Sequence, residues 1–425
     1  MLKLVKKFRK IFIFFIFFFS NIYSRIIKLN FEKLPQNYSN NELSNIELLH
    51  LSNIFTNITL GTPSKTIKAY IQFKYYQYFI IDKNNLNFYY KNLSKSFIPN
   101  PKEKIEFKES LFLKGYYCTE IFTFKNIENK EIKIENLQMT LAIESKLEYP
   151  CYLGFNFESE KYEDDDRNLI YELKQNKKIK YDIFSFEFLN ENLGEIIIGE
   201  LPHNYNSSFY NEKDLKWNNI YLENYKNWNI FFTKIYFDNE KYEGSTICYL
   251  EYELNMIYAP IEYKNKLMET FIKDNKNKCK EIINLNKHYF YVCDIDVSFK
   301  KFPKILFNSS EFNFIFELDE KDLFSEINGK LYFLVDFNHE SRKFSRWKLG
   351  IPFLKKYKFL FNLSKKSIGY YNMKQNKKIF SLFLIIILII IIICLLIVIY
   401  KVRIIKRKKR LNEIDDNYKY IINNI

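Results

Sequence analysis

Cysteine and histidine are the residue types in this chain with the widest choice of chemistry. Cys118, Cys151, Cys248, Cys279 and Cys293 are spread through it, and Cys394 sits in an apolar run near the end. Zinc sites use closely spaced cysteines, or Cys and His together. No Cys-x-x-Cys pair occurs and only four His are present, so neither a metal centre nor a cofactor is expected. Disulfide formation is the remaining chemistry. Cys279 and Cys293, separated by 14 positions, are expected to pair, and Cys118 with Cys151 is the second candidate. Five thiols outside the apolar run is an odd number, so at least one stays free or pairs between chains. Sequons begin at Asn37, Asn57, Asn92, Asn206, Asn308 and Asn362, but in so Asn-rich a chain several arise by chance.

Disulfides need an oxidising compartment, and both ends of the chain point to one. Lys3, Lys6, Lys7, Arg9 and Lys10 precede nine apolar residues, Ile11–Phe19, and then Ser20, Asn21 and Ser24. A basic start, a short apolar run and a small-residue exit describe a secretory signal peptide over residues 1–24. Ile379–Tyr400 is uncharged and 22 residues long, enough to span a bilayer. Lys401, Arg403, Lys406, Arg407, Lys408, Lys409 and Arg410 follow it and belong on the cytosolic side. The expectation is a type I single-pass protein of the secretory pathway or plasma membrane, anchored by one helix, with a basic cytosolic tail over 401–425. The net charge of +15 then divides evenly. The signal segment and the tail each carry +5, which leaves +5 for about 350 residues between them. Charge that reports topology gives no reason to expect a nucleic-acid partner. Sequence gives no oligomeric state.

Between the two ends, short runs rich in β-branched and aromatic residues dominate. Ile54–Leu60, Thr66–Phe73, Tyr116–Phe124, Ile132–Ile143, Ile183–Phe188, Glu195–Ile198, Asn229–Phe237, Phe312–Leu318 and Lys330–Phe337 read as strands. Asn168–Gln175 and Tyr263–Asp274 read as helices, and the acidic run Glu160–Asp166 as a solvated loop. Many short strands with few helices predict an all-β sandwich or pair of barrels.

One family fits these strands. Trp347, Leu349, Gly350, Phe353, Tyr357, Phe361 and Gly369 stand in "RWKLGIPFLKKYKFLFNLSKKSIGYY". That spacing resembles the closing segment of the pepsin-like aspartic proteases. "NITLGTPSKTIKAYI", with Gly61, Thr62, Pro63, Ile67 and Ile71, looks like the first hairpin of that family. "PCYLGFNF" (Pro150–Phe157), "GEIIIGELPHNY" (Gly194–Tyr205) and "NWNIFFTKIYFDNEKYEG" (Asn227–Gly244) are similar to three further segments. Of the nine glycines, only Gly329 lacks a family position. The resemblance covers roughly residues 50–373. It implies a two-lobed, all-β pepsin-like fold with a central cleft. An N-terminal lobe would occupy 49–203 and a C-terminal lobe 204–373, after a short linker or pro-like segment over 25–48.

The family's chemistry needs two Asp-Thr-Gly or Asp-Ser-Gly loops, whose aspartates share one proton. One activates water while the other polarises the peptide carbonyl. Neither tripeptide occurs anywhere in the 425 residues. Counting from Gly61 puts Gln72, Phe73 and Lys74 at the first loop. Glutamine does not ionise. Counting back from Pro260 puts Glu251, Tyr252 and Glu253 at the second loop, whereas counting from Trp228 reaches Glu253. The extra methylene of glutamate moves the carboxylate by over about an ångström, enough to spoil aligned chemistry. At the flap, Lys108 stands where the family has tyrosine. The expectation is a protease scaffold with a degenerate dyad at Gln72 and Glu251, no catalytic residues, and a peptide or protein ligand in the inter-lobe cleft. Two readings stay open beside it: a divergent membrane-anchored aspartic endopeptidase, and a structural surface module.

Overall fold

A computed structural model of the chain describes residues 26–33, 38–39, 41–50, 53–73, 78–83, 88–107, 113–145, 147, 149–157, 168–221, 227–238, 240–283, 288–338, 346–372, 389, 392–393 and 400–407. One compact unit ends at Asn372, and a second begins at Met373. In the second, 400–407 is helical. Ile379–Tyr400 lies almost wholly outside the described residues, as does the signal segment. Among the described residues no helix is long and apolar enough to cross a membrane.

The first unit is mostly strand, and it contains one strand path twice. Ile54–Leu60 runs antiparallel to Lys65–Gln72, which runs parallel to Cys151–Gly154. Cys151–Gly154 lies antiparallel to Tyr78–Ile81, which is parallel to Glu131–Ser145, itself antiparallel to Leu113–Lys125. Asn229–Phe232 begins the second copy, antiparallel to Thr246–Leu250, which is parallel to Lys348–Leu349. Lys348–Leu349 is antiparallel to Ile257–Ala259, which is parallel to Val335–Asn338, itself antiparallel to His288–Asp294. The alternation of directions is the same in both halves.

Burial explains the residue types on these paths. In Lys65–Gln72 the alternate residues Ile67, Ala69 and Ile71 are buried, the period of a strand with one face on a core. Tyr78–Ile81 and Cys151–Gly154 are buried at every position, which suits strands with parallel neighbours and cover on both faces. A further layer joins the halves. The late strand Phe359–Asn362 pairs with Ile183–Phe188, and Ser367–Tyr371 pairs with Leu215–Asn219. Trp228 adds a tie, since its indole Nε1 donates to the Phe155 carbonyl at 2.9 Å.

Several elements differ from their sequence expectations. The run Lys330–Phe337 is two strands, Lys330–Phe333 and Val335–Asn338. Leu334 breaks it: its N–H donates to Leu323 O and its carbonyl accepts from Ile257 N, so the two parts face different partners. The helix expected over Tyr263–Asp274 is α-helical only at Ile261–Leu267, then widens to a π-turn at Met268–Ile272 and tightens at Lys273–Asn275. Leu169–Gln175 is a helix, capped by the Asn168 side chain accepting from the Ile170 N–H at 2.8 Å. Before the first hairpin, Ile27–Lys33 is a strand inserted between Leu193–Ile198 and Ile54–Leu60, and Glu42–His50 is a helix. That helix buries Ile46 and Leu49 against Met256, Phe290, Val292, Ile327 and Tyr332 of the second half.

Cys279 and Cys293 oppose each other on adjacent antiparallel strands and form a disulfide. The other pairing considered, Cys118 with Cys151, is not made: both are buried free thiols. The Cys118 thiol donates to the Met139 carbonyl at 3.7 Å, and burial pushes both thiols far above their usual range.

Candidate cleft between the two halves

The repeated path fixes which residues are counterparts. Ile71 lies opposite Leu153 in the first parallel pair, and Leu250 lies opposite Leu349 in the second. The next residue along is Gln72 in one half and Glu251 in the other. Glu251 N donates to the Leu349 carbonyl at 3.1 Å, which continues the register. Phe73 then corresponds to Tyr252, and Lys74 to Glu253. Counting from Pro260 and counting through the strand register therefore reach the same residue, Glu251. Lys74 and Lys108 lie outside the described residues.

The two loops touch through their second residues. The rings of Phe73 and Tyr252 stack with centroids 4.0 Å apart and planes 23° from parallel. Phe186 packs edge-on to both, at 5.2 Å from Phe73 and 4.3 Å from Tyr252. Phe361, from the late strand, reaches Tyr252 at 5.8 Å. One polar contact crosses as well: the Phe73 N–H donates to Glu253 Oε1 at 3.2 Å. Apolar stacking thus stands where the resemblance places a threonine in each loop.

The polar atoms here are deeply placed. Gln72 is 8% exposed, and its Oε1 has no hydrogen-bond partner among the described residues. Tyr252 is more enclosed still; burial drives its phenol well above the ordinary range, and its hydroxyl also lacks a partner among the described residues. The two glutamates act on different neighbours. Tyr70 is raised by burial first and then by the charge of Glu253. Tyr258 is raised by burial, then by Asp336, then by Glu251.

Residues that sequence reading did not single out complete the surroundings. His50, at the end of the Glu42–His50 helix, places Nδ1 3.0 Å from the Tyr258 hydroxyl and Nε2 4.0 Å from Asp336 Oδ2. Asp336 is fully buried. Parallel pairing of Ile257–Ala259 with Val335–Asn338 sets Tyr258 beside Asp336, and a contact across 78 positions leaves no local signal. On the other side, Tyr70 lies two residues before Gln72 and so shares its face of the strand. Tyr70, Phe55 and Tyr149 form a cluster with centroids 4.8–5.2 Å apart, extended by Tyr152 at 5.6 Å from Tyr70. Tyr70 and Tyr149 are only partly buried, so the cluster offers an aromatic shelf beside the first loop. Among the described residues no group of three or more His, Cys, Asp or Glu could hold a metal ion.

Two equivalent strand paths, each delivering a loop to a shared central contact, define an internally repeated β-protein of the aspartic protease type. The model of the eukaryotic aspartyl protease family matches residues 55–373, most of the chain, and the protein belongs to that family. No curated protein matches it.

Proposed function

We propose that this chain is a single-span, type I membrane protein of the secretory pathway whose aspartyl protease domain binds a peptide or protein without hydrolysing it. The observation that carries the reading is the pair of counterpart positions Gln72 and Glu251. One of them is an amide that cannot ionise, so no two carboxylates can share a proton there. The Phe73–Tyr252 stack supports the same reading, because it makes the centre of the two loops a packed apolar contact. Anchoring rests on the uncharged run Ile379–Tyr400 and the basic cluster that follows it.

The divergent-endopeptidase reading keeps one observation in its favour. Glu251 retains a carboxylate within electrostatic reach of Tyr258, which Asp336 also reaches. A single carboxylate without a partner of shared proton lacks the acid–base pair that the family uses.

Binding is expected to use the aromatic shelf. Extended peptides carrying an aromatic residue should bind the full-length chain saturably in fluorescence polarisation. Tyr70→Ala should weaken that binding by about tenfold, on the order of 1.4 kcal/mol. Equal affinity of the variant and the parent would remove the shelf from the binding site.

A further inference from the structure

A cavity of about 670 Å³ lies apart from Gln72 and Glu251, neither of which lines it. Its walls come from the Ile27–Lys33 strand, the Glu191–Asn192 turn, the Lys321–Ile327 segment and the Ile351–Lys356 helix. Four lysines line it, Lys33, Lys321, Lys355 and Lys356, against three carboxylates, Glu191, Asp322 and Glu326. Lys355 pairs with Glu191 at 3.0 Å and Lys356 with Asp322 at 2.6 Å.

Lys33 is the exception among its neighbours. On the same strand Lys28 pairs with Glu195 at 2.6 Å, and Glu32 pairs with Lys68 at 2.8 Å. The Lys33 ammonium makes no ion pair or side-chain hydrogen bond to any described residue, although it is half-buried in the cavity wall. Burial pulls it down to about 8, Glu191 opposes the drop and Lys355 adds to it. Two ammonium groups therefore flank one carboxylate, and the cavity lacks one negative charge. Tyr38 in the same wall is raised by burial and by Glu191, which marks the surroundings as poorly solvated. Leu49, Ile327, Leu334, Ile351 and Pro352 supply an apolar floor.

We propose that this cavity binds a ligand with a carboxylate head and an apolar body, the carboxylate pairing with Lys33 and the body resting on the apolar floor. The volume suits a molecule of two or three amino-acid residues or a medium-chain fatty acid. A carboxylate beside a poorly solvated ammonium forms a charge-assisted hydrogen bond stronger than an exposed pair. The inference goes beyond the cleft reading and does not depend on it, because none of Gln72, Phe73, Glu251, Tyr252 and Glu253 lines the cavity.

Calorimetric titration of the full-length chain with acetyl-Leu-Phe, its C-terminal amide and octanoate tests the assignment. Saturable binding of the free acid, at least tenfold tighter than of the amide, is the expected result. Octanoate binding with no dipeptide binding would support the same site with a small acid as its source. Lys33→Met should abolish binding while far-UV circular dichroism stays unchanged. Lys33→Arg should retain it. Affinity of the parent should fall between pH 7.5 and pH 9.5 as Lys33 loses its proton, and Lys33→Arg should stay flat over that range. The other lining groups, Lys321, Lys355, Lys356, Glu191, Asp322, Glu326 and Tyr38, are common to both proteins, so the difference isolates Lys33. Absence of binding by both acids, equal binding of acid and amide, or undiminished binding by Lys33→Met would each overturn the proposal.

Discussion

Gly350→Ala is expected to destabilise the protein by about 3 kcal/mol or more, at the upper end for overpacking substitutions. A Cβ at Gly350 would lie 2.0 Å from the Met256 carbonyl oxygen and 2.5 Å from that of Leu254. Both are backbone atoms and cannot rotate away. They also belong to the segment that follows Glu251, so relief of the clash must move the second loop. Gly350 comes directly after Leu349, whose carbonyl accepts from Glu251 N. Its own carbonyl accepts from Phe353 N and Leu354 N at the start of the Ile351–Lys356 helix. Chemical denaturation of the full-length chain measures the loss. Gly244→Ala is the control: nothing lies within 4 Å of a Cβ there, and a change within about 0.5 kcal/mol is expected. Similar small losses in both variants would mean that the loop and the Gly350 strand are not packed as described.

Tyr252→Ala carries the second large effect, a loss of about 3–5 kcal/mol. It strips a ring from the contact with Phe73, Phe186 and Phe361 and leaves a cavity where the two halves meet. Phe73→Ala should cost a comparable amount. Because the two rings stack on each other, the double variant should lose less than the sum of the singles, by about 1 kcal/mol. Tyr252→Phe separates ring from hydroxyl. That hydroxyl is buried without a partner among the described residues, so its removal should leave stability unchanged or raise it. Strict additivity of the two alanine variants would contradict direct contact between the loops.

The segments that were legible in the sequence are those whose residue types serve one local purpose. Trp347, Leu349, Gly350 and Phe353 announce a close-packed strand-to-helix turn, and all four are buried around that turn. The hairpin of Ile54–Leu60 with Lys65–Gln72 shows the alternation and the Gly61–Pro63 turn that its pairing requires. Asn328–Gly329 carries a local signal of the same kind. Both residues have positive φ, 50° and 71°, and they form the tight turn between Phe324–Ile327 and Lys330–Phe333. An Asn-Gly pair between apolar runs is a hairpin signature, and it gives Gly329 the place that family comparison did not.

Residues whose role depends on distant partners were not legible. Lys33 looks like any strand lysine until the Glu191 turn and the Ile351–Lys356 helix close over it. Tyr258, Asp336 and His50 come from three separate segments, joined by a parallel strand pair and a helix end. The stack of Phe73 on Tyr252 spans 179 positions, and neither aromatic residue stands out in a chain with 43 Phe and 34 Tyr. The assignment of Glu251 depended on register. Counts from two landmarks differ by two residues, and the pairing of Leu250 with Leu349 is a feature that counting along the chain does not contain.

The proposal that this domain does not hydrolyse peptides is tested most directly by incubating the full-length protein with peptide libraries between pH 4 and pH 7 and reading cleavage by mass spectrometry. The parallel samples are the Glu251→Gln variant and a statine-type transition-state mimic. A non-catalytic cleft predicts no cleavage above background in any sample and no effect of the mimic. Saturable cleavage that the mimic inhibits and that disappears in Glu251→Gln would contradict it.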